Sequence, residues 1–171
     1  MPITLGLYAI PFGFGPVSKA VAIARAITDR MDVEWVPFGS GISLEFMQRE
    51  GLGTRVIEAP PSPENPEAVA AIAEGLDGAV VLMDNGWANA LASRLPVFFA
   101  DSLGFMWSKA DFAAYPDMNK VKSYYVQDVF GAFEHMKRNT GLEMLKPVSP
   151  IINTAYETQS GLQSRSVLHL G

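Results

Sequence analysis

The sequence predicts an α/β fold, a doubly wound parallel sheet of about seven strands with helices on both faces. Three observations predict it. Short, almost wholly apolar runs recur along the chain, as in strands buried on both sides. Amphipathic helical stretches separate them, the pattern of parallel strands joined by crossover helices. At 171 residues, 49% of them hydrophobic, the chain is large enough to bury one core.

The elements follow in order. Ile3 to Ile10 reads as the first strand, and a glycine-rich turn, Pro11-Phe12-Gly13-Phe14-Gly15, leads from it into a helix from Pro16 to about Asp29. Val17, Val21, Ala24 and Ile27 line one face of that helix. Pro16 suits the first helical position, where a missing N–H costs nothing. Strand, glycine turn and helix in this order aim unpaired N–H groups and the positive end of the helix dipole at one point, suited to an anion or a polar ligand edge. Val33 to Val36 reads as a second strand and Ile42 to Glu50 as a helix stopped by Gly51. Thr54 to Glu58 is a third strand, followed by a proline-rich loop at 59–63 that excludes regular structure. Pro66 opens a helix to Leu76, with Asn65 as its N-cap. Gly78 to Met83 is a fourth strand, Trp87 to Leu95 a helix, and Pro96 to Ala100 a fifth strand. Phe105 to Tyr115 reads as a helix or as a loop with one turn. Ser123 to Gln127 is a sixth strand, Val129 to Asn139 a helix ending at Gly141, and Val148 to Ile152 a seventh strand. Right-handed crossovers between these strands give a Rossmann-like sandwich, with ligands expected at the carboxyl ends of the strands.

Three segments are expected: a domain over 1–152, a polar, turn-rich linker over 153–165, and at 166–171 the opening strand of a second domain. The bland reading of 166–171 is a last strand of the same sheet.

Composition narrows the function. A formal charge of −5 and a pI near 5.0 argue against nucleic-acid binding, which needs a basic surface. No run of 18 apolar residues and no secretory signal are visible, so a soluble cytoplasmic protein is expected. The absence of cysteine excludes disulfides, thiolate catalysis and cysteine-held metals. His135 and His169 stand far apart without a third ligand at useful spacing, so both read as structural and no metal site is expected.

The order of these features resembles the N-terminal half of GT-B glycosyltransferases, the nucleotide-sugar-dependent enzymes that act on lipid-linked and natural-product acceptors. The likeness rests on the glycine turn with the helix Val17 to Ile27, the helix carrying Phe46 and ending at Glu50-Gly51-Leu52, and Ala59-Pro60-Pro61. It extends through Leu76 to Asp84, with its terminal aspartate, and Arg94 to Phe99, to Ser166 to Gly171. Each motif is weak alone; order and spacing carry the likeness, which covers essentially the whole chain. The resemblance implies an acceptor-binding half that binds a small or lipid-like acceptor and is inactive by itself. The nucleotide sugar would be held through a C-terminal domain missing from these residues. It implies no cofactor. Apolar surface left by an absent domain would also favour a homodimer. One departure stands out: many members carry a histidine after the glycine pair, where this sequence has Pro16, which takes no proton.

Candidate site residues gather at the expected ligand edge. Asp84, after the fourth strand, reads either as a general base or as the cap of the next helix. Asp101, after the fifth, reads either as a base or as a loop aspartate holding a turn. If both face one cleft, one pKa is pushed up, as suits a base. Gly13, Phe14, Gly15, Ser18, Asn85, Trp87, Ser102 and Trp107 are the expected substrate-binding set. Within it, Asn85 also reads as structural. The aromatic members, with Phe12, Phe105 and Met106, suggest an apolar or ring-shaped acceptor, or else close the core against loops. Lys19 and Arg25 read as a solvated helix face.

Two other readings stay open. Gly13-Phe14-Gly15 has two glycines of a dinucleotide-binding fingerprint, and Glu34 lies roughly 20 residues on, near where a ribose-binding acid belongs. A non-catalytic binding module is the other, allowed by Pro16.

Overall fold

The computed structural model describes residues 1–106 and 108–151. The expected linker at 153–165, the strand at 166–171, Trp107 and His169 lie outside the described residues. Seven parallel strands form one sheet: β1 (Ile3–Ala9), β2 (Val33–Gly39), β3 (Ile57–Glu58), β4 (Gly78–Leu82), β5 (Val97–Asp101), β6 (Ser123–Gln127) and β7 (Leu145–Val148). Their order is β3-β2-β1-β4-β5-β6-β7. The chain thus moves outward from β1 in one direction, returns, and moves outward in the other. The switch point lies between β1 and β4, where Leu5 pairs with Gly78 and Ala9 with Leu82.

Reversal of direction puts the helices on opposite faces. On one face, α1 (Phe14–Thr28) and α2 (Gly41–Arg49) bury Val17, Ala20, Val21, Ala24 and Met47 against Leu7, Ala9, Trp35, Val80 and Leu82. On the other, α3 (Pro66–Ala73), α4 (Asn85–Ala92) and α6 (Ala132–Thr140) pack on Tyr8, Phe38, Val81, Phe99, Tyr124 and Val126. A short α5 (Lys109–Ala113) lies between two 3-10 turns, Gly104–Met106 and Pro116–Lys120, in the connection from β5 to β6. Adjacent strand residues alternate between the two cores, as the pleat requires: Val80 and Leu82 on one face, Ala79 and Val81 on the other.

Several boundaries depart from the sequence expectation. α1 starts at Phe14, two residues early, so Pro16 is buried in the first turn instead of opening it. Nothing is lost there, because first-turn N–H groups have no partner within the helix. β2 runs on through Pro37 to Gly39. The proline is tolerated because pairing to β3 begins only at Phe38. α3 stops at Ala73, ahead of Gly75, which takes a positive φ of 75°. The seventh strand is not Val148 to Ile152 but Leu145–Val148, an edge strand that accommodates Lys146 and Pro147. Asn65 does cap α3, accepting from the N–H groups of Glu67 and Ala68.

Beyond α1, the first sheet face has no helix of the described residues over β5 and β6. This leaves an apolar cleft of about 620 Å3 lined by Ile3, Ile23, Ile27, Phe98, Tyr125 and Ile151.

Candidate functional site

The carboxyl ends of β1, β4, β5 and β6 converge on one edge, where three hydrogen-bonded clusters sit side by side. The first joins β1 to the β4–α4 turn. Asp84 caps α4, accepting from Trp87 N–H at 3.0 Å, and its other oxygen accepts from Tyr8 Oη at 2.8 Å. Burial, reinforced by the Asp84 charge and that hydrogen bond, pushes the Tyr8 hydroxyl far above the usual phenol range. Met83, just before the aspartate, takes φ = 60°. A non-glycine residue so placed stores strain and is a pointer to function.

The second cluster holds Asp101, which is 1% exposed. It accepts from Leu103 N–H at 2.6 Å and from Tyr124 Oη at 2.9 Å. Burial first, then the Asp101 charge, raises the Tyr124 pKa well above the ordinary value. Asp101 is therefore a strand-end residue beneath the surface, tying β6 and the segment after β5 together.

The third cluster was not expected. Lys19 is half-buried and donates to Ser102 Oγ at 2.8 Å, which binds α1 to the end of β5. Gln127 Nε2, at the end of β6, donates to the same hydroxyl, and Gln127 Oε1 accepts from Ile151 N–H. Burial lowers the Lys19 pKa from its ordinary value, and Asp101 opposes that shift. The reading of Lys19 as solvated is thus corrected: the helix turns it inward, over the sheet edge. Arg25 has a surface role, an ion pair with Glu50 at 2.7 Å, worth about 0–1 kcal/mol. Gln127 and the tyrosines were missed, although a polar residue ending an apolar strand is a visible signal in Ser123–Gln127.

The glycine turn stands open above these clusters. Gly13 has φ = 69° and precedes α1, whose first turn carries no acidic residue. A Cβ at Gly13 or Gly15 would meet nothing within 4 Å, so a ligand can approach the backbone there. Ser18 is half-buried on α1. Phe12 is 80% exposed and Phe14 58%, the latter edge-on to Phe46. Leu103 and Met106 are exposed on the segment after β5.

Two expected contacts are placed differently. Trp87 is wholly buried among Tyr8 and Phe38, with ring centroids 5.7 Å from each, so it belongs to the core and not to a ligand surface. The cause is helical phase: Asp84 starts α4 at Asn85, which turns Trp87, Ala88 and Leu91 inward. Asn85 is also buried, and among the described residues neither of its amide atoms has a partner. His135 pairs with Asn139 along α6, at 2.9 Å. Among the described residues no group of three metal-ligating side chains occurs, and no helix is long and apolar enough to cross a membrane.

Glycosyltransferases of solved structure share this architecture. HepE of Anabaena, solved with UDP and glucose, superposes with a TM-score of 0.60 at 12% identity over 86% of this chain. The fold is that of a GT-B glycosyltransferase domain. UGT2 of Phytolacca americana, solved with UDP-2-fluoro-glucose and pterostilbene, gives 0.55 at 10% identity over 90% of the chain. A UGT transferase from Siraitia grosvenorii, solved with UDP, gives 0.54 at 17% over 93%. The chain spans 44%, 55% and 54% of these three, about half their length. No family model and no curated protein sequence matches the chain. The GT-B domain likeness agrees with the expected fold class.

Proposed function

We propose that this chain is the acceptor-binding half of a glycosyltransferase that moves a sugar from a nucleotide-sugar donor to a hydroxyl of a small or lipid-like acceptor. Residues 1–152 form the acceptor domain, 153–165 the linker, and 166–171 the opening of a domain that holds the donor. The chain by itself then transfers no sugar. A cytoplasmic location goes with this reading. The observation that carries it is the polar edge described above: Lys19, Ser102 and Gln127 meet beside the open Gly13–Gly15 turn. They do so in a fold shared with about half of each glycosyltransferase chain.

Roles follow from exposure. In this reading Asp84, half-buried at the edge, is the carboxylate that takes a proton from an acceptor hydroxyl. Asp101 is buried and holds Tyr124 and the Leu103 N–H, so it orients the floor of the site. Gly13, Phe14, Gly15, Ser18 and Ser102 line the acceptor side.

The dinucleotide reading fares worse. A ribose-binding acid belongs at the carboxyl end of β2. Glu34 is the second residue of that seven-residue strand, exposed at the opposite end. Calorimetry separates the readings. The 171-residue chain is expected to bind neither NAD(H) nor nucleotide sugars appreciably, while a chain carrying a donor domain transfers sugar. Tight NAD(H) binding overturns the proposal. Acceptor binding with no transfer in any form points to a non-catalytic module.

A further inference from the structure

The third cluster has a chemistry that sets it apart from the rest of the edge: toward a ligand it presents donors. Ser102 Oγ accepts from both Lys19 Nζ and Gln127 Nε2, which fills its lone pairs and leaves its own O–H to donate. Among the described residues that proton has no acceptor. Two donors on a hydroxyl oxygen polarise it and strengthen its remaining bond. Lys19 has three N–H donors and spends one on Ser102. Asp101, the nearby countercharge, is buried with its oxygens turned to Tyr124 and the Leu103 N–H, so it offers the ligand no acceptor. Phe12 and Phe14, at the start of α1, and Leu103 and Met106, after β5, are all exposed, and the Lys19–Ser102 bond ties α1 to the end of β5. Apolar side chains left in water at a ligand edge point to an apolar partner surface.

We infer that Lys19 and Ser102 anchor an oxyanion carried on an apolar body, so that the ligand of this edge is an amphipathic acid. The inference rests on the acceptor-binding reading for its biological meaning, but the anchor is a property of the chain and is tested by binding alone. The oxyanion is an aromatic carboxylate or an alkyl phosphate of the lipid type. Lys19 is then the specificity residue: it selects the charged ligand over its neutral counterpart, and Ser102 fixes its orientation.

The test is calorimetry of the 171-residue chain at neutral pH with four probes: 2-naphthoate, 2-naphthol, octyl phosphate and inorganic phosphate. One or both of naphthoate and octyl phosphate are expected to bind at least tenfold more tightly than 2-naphthol and than inorganic phosphate. Whichever is tighter assigns the source. Lys19→Met should remove the preference while 2-naphthol binding stays within twofold. Lys19→Arg should retain it, and an unchanged melting temperature shows that the fold is intact. Ser102→Ala should weaken the anion severalfold. Equal binding of naphthol and naphthoate, binding of none of the probes, inorganic phosphate binding as tightly as the amphiphiles, or a preference that survives Lys19→Met overturns the inference. Sugar transfer to neutral acceptors only, with amphipathic acids of the same body left unused, does so too, with the glycosyltransferase reading intact. NAD(H) binding with the anion preference retained would instead remove that reading and leave the anchor.

Discussion

Single residues divide here into those buried to hold the fold and those open at the carboxyl edge. Trp87 shows the division most sharply. Its position near a strand end suggested a ligand contact, but its ring is wholly buried between Tyr8 and Phe38. Trp87→Ala should cost about 3–5 kcal/mol of stability. Chemical denaturation reads this directly, and a stable variant with altered ligand binding would contradict the placement. The buried tyrosines make a second prediction. Tyr8 and Tyr124 have pKa values raised by burial next to a carboxylate. Folding keeps their protons on, so the stability they contribute is complete below the ordinary phenol value of about 10. It falls as pH rises above that value, because the unfolded chain then loses protons the folded one keeps. Ultraviolet titration should show these two of the five tyrosines still neutral where exposed phenols have ionised. The melting temperature should drop over the same range, and less steeply in Tyr8→Phe.

Elements explain why Asp84 has two readings that are compatible. The β4–α4 turn needs a cap, and Asp84 supplies it while also accepting from Tyr8. Asp84→Asn should keep the cap through its Oδ1, while its Nδ2 donates to Tyr8 Oη instead of accepting from it, at a cost of about 1 kcal/mol, since Asn caps as well as Asp. Asp84→Ala loses the cap and strands a buried hydroxyl, at about 2 kcal/mol or more. A glycosyltransferase lacking activity as the stable Asn variant would place the base at Asp84; full activity in that variant would remove it. The same turn shows what the sequence made legible. β4 was plain because a central parallel strand is apolar on both faces. β7 was misplaced because an edge strand needs no such run and tolerates Lys146-Pro147. β2 was cut short at Pro37 for the converse reason, a proline that its late pairing with β3 accommodates. Lys19 was read as solvated because helix periodicity reports which face is polar. It does not report that the end of β5 comes within 2.8 Å of that face.

At the scale of the whole molecule, the strand order places the switch point between β1 and β4, directly beneath the glycine turn and Asp84. That placement, and not any one motif, is the basis on which the carboxyl edge is proposed as the ligand site. The molecule has a competing feature, the apolar cleft over β5 and β6. It lies against the sheet face beside α1, among Ile27, Phe98 and Tyr125, with charged groups such as Asp77 and Lys122 at its margin. An oriented acceptor needs placed polar groups as well as apolar area, and those converge at Lys19, Ser102 and Gln127. The most direct measurement is an amide chemical-shift map of the 15N-labelled chain titrated with 2-naphthoate. Shifts are expected to concentrate at Gly13 to Lys19, Ser102, Leu103 and Gln127. Shifts concentrated instead at Ile3, Ile27, Phe98 and Tyr125 would put the ligand in the apolar cleft and contradict the proposed site.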